Sequence, residues 1–171
     1  MRSTSTLLSI VLVVCTLVAC QRDPDNPAGP LTSSKNRMTV NGEGYTNASF
    51  NTLNIDTAAV ATTQNDVGVI TLTGITSRIT EGFNLTITTA SAAAGTWQVN
   101  ALQGTTINLV ITDGDSTRTY TAMTGSVQVS SWPATGRVTG TFSGNFARTS
   151  DLSTTPLQIT AGEFDAGIIV R

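Results

Sequence analysis

The chain has 171 residues, a formal net charge of −2, no histidine and two cysteines, so His-based triads and His-ligated metals are excluded. Eight basic residues remain beyond Arg2 against eleven acidic ones, with no Lys/Arg cluster, so the chain lacks the basic footprint that nucleic acid requires. Charged residues make up 12% and hydrophobic ones 39%, too apolar and too weakly charged for a disordered acidic tail.

The amino terminus reads as an export signal. Arg2 supplies positive charge, and Leu7 to Ala19 is apolar apart from Ser9, Cys15 and Thr16. A transmembrane helix needs about 20 apolar residues; this shorter run fits a signal-peptide core. Leu17-Val18-Ala19-Cys20 closes it. The motif resembles the lipobox of bacterial lipoprotein signals, and its chemistry explains its order. Leu17 fills an apolar subsite, Ala19 is small enough for the peptidase cleft, and the Cys20 thiol accepts a diacylglyceryl group. The resemblance implies cleavage between Ala19 and Cys20 and further acylation of the new amino terminus. Residues 1–19 are then the removed signal. Cys15 leaves with it, and the one mature cysteine is lipidated, which excludes an intramolecular disulfide, thiol catalysis and Cys-ligated metal. One acyl chain binds a membrane only reversibly, whereas two or three anchor it firmly. By the same resemblance Gln21, rather than an aspartate, points to the outer membrane.

Residues 20–36 join the lipidated cysteine to a tether. Pro24, Pro27 and Pro30 recur every third residue among Asp, Asn, Gly and Ser, a composition that buries no core. At about 3.1 Å per residue it reaches roughly 50 Å from the bilayer.

Residues 37–171 form the expected β-domain. Thirty-two residues of the chain are threonine, β-branched and favoured in strands. Phe83, Leu85 and Ile87 alternate with polar residues, as do Ile107, Leu109 and Ile111; Val127 and Val129; Val138, Phe142 and Phe146; and Phe164, Ala166, Ile168 and Val170. Such alternation predicts strands with one buried and one wetter face. Asn41-Gly42, Glu81-Gly82, Asp113-Gly114, Thr135-Gly136 and the Ser91–Gly95 patch supply turn signals, with Asp113-Gly114 as a hairpin turn. The count is nine or ten short strands. The fold class is all-β, an antiparallel β-sandwich, with a closed or partly open barrel as the alternative.

The segment Gly136-Arg137-Val138-Thr139-Gly140-Thr141-Phe142-Ser143-Gly144, followed by Ile159-Thr160-Ala161-Gly162-Glu163-Phe164-Asp165 and preceded by Gly95-Thr96-Trp97, resembles the ending of small Bacteroidota-type lipoproteins. Tyr45–Val60 departs from that pattern by lacking an early tryptophan. The resemblance implies an anchored β-protein and carries no catalytic residues.

Few residues offer chemistry. Asp113-Gly114-Asp115-Ser116-Thr117 is shaped like the start of a calcium loop but lacks the later glutamate, so a turn is expected and no metal or cofactor is assigned. Glu163 and Asp165 share a strand face, without a second pair at glycosidase separation. Trp97 and Trp132 are the candidate ligand contacts, with Tyr45 or Tyr120 as a rim. The Thr-x-Thr pairs at 71/73, 86/88, 117/119/121 and 139/141 offer a hydroxyl array of the kind found in ice-binding sheets, although strand propensity accounts for them.

The expected protein is therefore a non-enzymatic binding or structural module, anchored by lipid at Cys20 to the outer membrane and facing the periplasm or the cell surface. A glycan or an envelope protein is its candidate partner. A lipocalin-like carrier of a small apolar ligand is the alternative, and a carboxylate-dependent glycan hydrolase the third reading.

Overall fold

The period-two runs become ten strands: β1 (Arg37–Gly42), β2 (Tyr45–Thr52), β3 (Ala59–Gln64), β4 (Val67–Ile75), β5 (Glu81–Thr89), β6 (Gly95–Gln98), β7 (Thr106–Asp113), β8 (Ser116–Ser131), β9 (Arg137–Arg148) and β10 (Leu157–Ile168). The structure is a computed structural model and describes residues 35–153 and 155–169. Ala19, Cys20 and the tether up to residue 34 lie outside the described residues, as does Val170.

The strands β1, β2, β4, β5, β7, β8, β9 and β10 pair in that order, each antiparallel to the next, and β10 returns to β1. The result is a closed eight-stranded barrel, the alternative offered by the sequence, and not the sandwich. The deciding contact joins the two ends of the domain, Arg37↔Glu163 through Asn41↔Gln158, a long-range pairing that alternation does not encode. Two strands lie off the ring. β3 fills the seam below the short β2–β4 pairing, antiparallel to β4 and parallel to the end of β10. β6 lies along the later half of β8.

Inward residues meet in layers. Leu72, Leu85, Leu109 and Tyr120 are in register across β4, β5, β7 and β8, and Ile70, Ile87 and Ile107 form the layer below. All are at most 2% exposed and belong to one core. An eight-stranded bore is just wide enough for side chains to fill.

Several turns follow from their residues. Glu43-Gly44 and Asn65-Asp66 both have two positive φ values, the geometry of the tightest hairpins, which Gly, Asn and Asp tolerate best. The β7–β8 hairpin turns at Gly114-Asp115, between the paired Asp113 and Ser116. Glu81-Gly82, expected as a turn, instead opens β5. The reversal lies at Thr76–Thr80, where the Thr76 and Glu81 backbones bond and the Glu81 side chain turns inward.

The Gly-Thr-Phe and Gly-Glu-Phe steps that marked the carboxy-terminal resemblance have a packing role. Phe142 sits opposite Gly162, and Phe164 opposite Gly140, across β9 and β10. Each ring covers the opposing glycine, so a Cβ at Gly162 would lie 2.4 Å from Phe142, and one at Gly140 2.4 Å from Phe164. The two rings stack with centroids 6.4 Å apart. Large residues over small ones let the layer interdigitate without a void.

At the seam the Asn36 side chain clasps the Asp165 backbone from both sides. Its Oδ1 accepts from the Asp165 N–H (2.6 Å), and its Nδ2 donates to the Asp165 carbonyl (3.2 Å). The Asn36 carbonyl accepts from Thr52 N–H at 3.1 Å, so one residue ties β2 to β10.

A Cβ at Gly140 would also lie 2.2 Å from the Gln128 carbonyl oxygen, which is backbone and cannot swing away. Gly140→Ala is therefore expected to cost about 1–3 kcal/mol. At Gly82 the nearest atom to a Cβ is 3.7 Å away, and Gly82→Ala should stay within about 0.5 kcal/mol of the parent. Urea unfolding midpoints at unchanged slope check both.

Candidate functional site

The up-and-down order places the β1–β2, β4–β5, β7–β8 and β9–β10 connections at the upper end of the barrel and the β3–β4, β5–β7 and β8–β9 connections at the lower end, while the β2–β3 connection lies in the wall, where β2 leaves β4 and β3 takes its place.

The upper end is closed by charge. Glu81 continues the inward face of Phe83, Leu85 and Ile87 and is only 2% exposed. Its Oε1 accepts from Arg78 Nη1 (3.0 Å) and Arg118 Nη2 (2.8 Å), and its Oε2 accepts from Thr76 Oγ1 (2.9 Å) and the Tyr45 hydroxyl. Tyr45 on β2 and Arg118 on β8 stand on opposite sides of the ring, 3.4 Å apart at their polar tips. Glu43, in the β1–β2 turn, reaches Arg148 and the Tyr120 hydroxyl (3.1 Å). The Arg78 guanidinium lies 4.4 Å over the Tyr45 ring. Burial alone pushes the Glu81 carboxyl up, but donation from Tyr45, Arg78 and Thr76 outweighs it and holds the group below the ordinary carboxylate value. Burial and the neighbouring Glu81 carboxylate push the Tyr45 phenol up.

Buried, perturbed charges of this kind often mark active sites. Here both oxygens of Glu81 are saturated by protein donors, and the carboxylate has no proton to give. The arrangement is a plug that spans the bore. Tyr45 and Tyr120, expected at a ligand rim, are 4% and 0% exposed and belong to this plug and the core.

At the lower end, Trp97 and Trp132 are both half-buried and rest on the margin of the core. Among the described residues no ring contact joins them, so they do not make one aromatic platform. Trp97, on β6, lies over Gly95. Trp132 follows β8 and borders an open groove of about 470 Å3, with Pro133 and Ile168 on its apolar side and Thr63, Asp66 and Ser91 on its polar side. The Trp132 ring presses on Gly68, where a Cβ would lie 2.5 Å from it. Sequence reasoning missed Gly68 and Asp66 as partners of Trp132, since more than sixty residues of chain separate them.

Among the remaining candidates, the two carboxylates of β10 are paired. Glu163 pairs with Arg37 at 3.2 Å, and Asp165 with Arg137 and, at 3.4 Å, Lys35. Asp113 and Asp115 flank Gly114 at an exposed hairpin tip. Thr71, Thr86, Asn108 and Thr121 do stand in register on the outer wall. The Thr121 hydroxyl is, however, spent on Asn108 at 3.0 Å, and that of Thr73 accepts from Asn84 at 3.0 Å. The twist between neighbouring strands also prevents a flat lattice.

Because the native pKa of Glu81 is depressed, its stabilisation is present above the unfolded value, near the ordinary 4.5, and is lost as pH falls through the native value. Glu81→Gln should therefore flatten the acid limb of the stability–pH curve. At neutral pH it should cost about 1–3 kcal/mol, the loss of charge-assisted hydrogen bonds from Arg78 and Arg118, because Arg118 keeps its ion pair with Glu43 at 3.7 Å. Urea denaturation from neutral to acid pH measures both, and an unchanged acid limb would refute the assignment.

Comparison with models of known protein families, with curated proteins and with solved structures found no match for this chain.

Proposed function

We propose that the chain is a non-enzymatic binding module of the bacterial cell envelope, lipid-anchored through Cys20 to the outer membrane and binding its ligand on the outside of the barrel. The observation that carries this reading is the filled bore. Tyr120, Phe50 and Phe146 are 0% exposed within one continuous core, and the saturated Glu81 network closes the upper end. A filled bore supports a ligand held on the outer surface. The anchor rests on Leu17-Val18-Ala19-Cys20 at the end of the apolar segment, and outer-membrane sorting on Gln21.

A lipocalin-like carrier is the second reading, favoured by the closed up-and-down ring. It requires space inside the ring, which large buried side chains occupy here.

Metabolic labelling with a fatty-acid probe, followed by native mass spectrometry of the purified full-length protein, tests both readings. The parent should carry label and Cys20→Ser should not, remaining as uncleaved precursor. Beyond the anchor, the mass should show no further lipid. Normal labelling of Cys20→Ser would remove the anchor, and a stoichiometric copurifying lipid would favour the carrier.

A further inference from the structure

We propose that the lower-end groove binds a neutral pyranose unit of a glycan, with the sugar's C–H face against Trp132 and neighbouring hydroxyls donating to the Asp66 carboxylate. The inference rests on the binding-module reading and deepens it by naming the ligand class.

Trp132 is positioned before any ligand arrives. Gly68 leaves room for its ring, and the Thr89 hydroxyl also lies 2.5 Å from where a Gly68 Cβ would stand, so the ring fits where no side chain can. Pro133 follows directly and restricts the backbone. The half-buried Trp132 packs against the core and lines the groove.

Asp66 is equally fixed. It is the second central residue of the β3–β4 turn, with φ 67°, and its carbonyl accepts from the Ala92 N–H at 2.7 Å. Its carboxylate makes no side-chain hydrogen bond or ion pair among the described residues, in contrast to Asp165 and Glu163. Asp66 is exposed and lines the groove, with Thr63 and Ser91 on the same lining. A groove of about 470 Å3 lies within the common range for small-ligand sites, which combine apolar walls with a few fixed polar groups.

This set of groups selects by chemistry. An anion would meet the uncompensated carboxylate. A wholly apolar ligand would strip water from that carboxylate without replacing its hydrogen bonds, at high cost. A ring with one C–H face and several hydroxyl donors at its edge satisfies both sides. Only one aromatic face is available, so the affinity expected for a single unit is millimolar, with gain from repetition along a chain.

The chain has two tryptophans, so Trp97→Phe leaves Trp132 as the sole indole reporter. Full-length Trp97→Phe protein, titrated separately with the methyl glycosides of glucose, galactose, mannose and N-acetylglucosamine, should show a saturable change in tryptophan emission with at least one. Saturation-transfer NMR should place the contact on the sugar's C–H protons. Asp66→Asn should weaken that binding roughly tenfold, the loss of a charged hydrogen-bond acceptor, with its thermal unfolding unchanged. Gly68→Ala, which displaces the indole, should weaken it as well while far-UV circular dichroism stays that of the barrel.

Absence of saturable binding to all four glycosides overturns the proposal. So does binding unaffected by Asp66→Asn, and so does binding confined to glucosamine, titrated alongside the four glycosides, which would identify a cation site. If sugar binding fails while Cys20 labelling and the lipid-free mass hold, the binding-module reading stands and only its ligand class falls.

Discussion

Pairing the first strand of the domain to the last removes the free edges of the main sheet and fixes its bore. Eight tilted strands enclose a space that side chains can fill, and this sequence fills it with Leu, Ile, Phe and Tyr in layers. Once the bore is full, every remaining choice concerns the two ends and the outer wall. The reciprocal packing of Phe142 on Gly162 and Phe164 on Gly140 is one consequence, because β9 and β10 must fit large rings into a circumference set by the ring of strands. The clasp of Asn36 on Asp165 is another. It seals the place where β1 and β2 end and β3 takes over beside β4 and β10.

The two ends meet this constraint in different ways. At the upper end three arginines and two glutamates converge across the opening with two tyrosines, and the donors saturate both Glu81 oxygens. The charges there are consumed by one another. At the lower end Trp132 packs on Gly68 and the core margin, the Asp66 backbone is held by the β3–β4 turn, and both residues line the open groove. Binding groups on rigid elements, with their own chemistry unspent, are what a preorganised site requires.

Much of the architecture was legible because alternation is local. Phe83, Leu85 and Ile87 declare a buried face within six residues, and the same phase includes Glu81, so the buried carboxylate could have been read from its place in the pattern rather than assigned to a turn. Closure was not legible in the same way. The β1–β10 contact joins Arg37 to Glu163, 126 residues apart, and period two is identical in a sandwich and a barrel. The groove divides along the same line. As one of two tryptophans Trp132 stands out as a candidate contact, while its relation to Gly68 and Asp66 exists only after the ring closes. Glu163 and Asp165 show the converse case, since the alternation gives their common face correctly but not the arginines that neutralise them.

The position of β1 has a mechanical consequence. It is hydrogen-bonded on one side to β2 and on the other to β10, and the chain enters it directly after the Asn36 clasp. With the proposed anchor at Cys20, drag on the domain is transmitted to the barrel through that entry point. A pull along the β1 axis loads both rows of hydrogen bonds together in shear, instead of peeling a free edge one bond at a time. A domain leashed by its first strand is thus gripped on both flanks of that strand, and the ring that holds the core together also bears the tension.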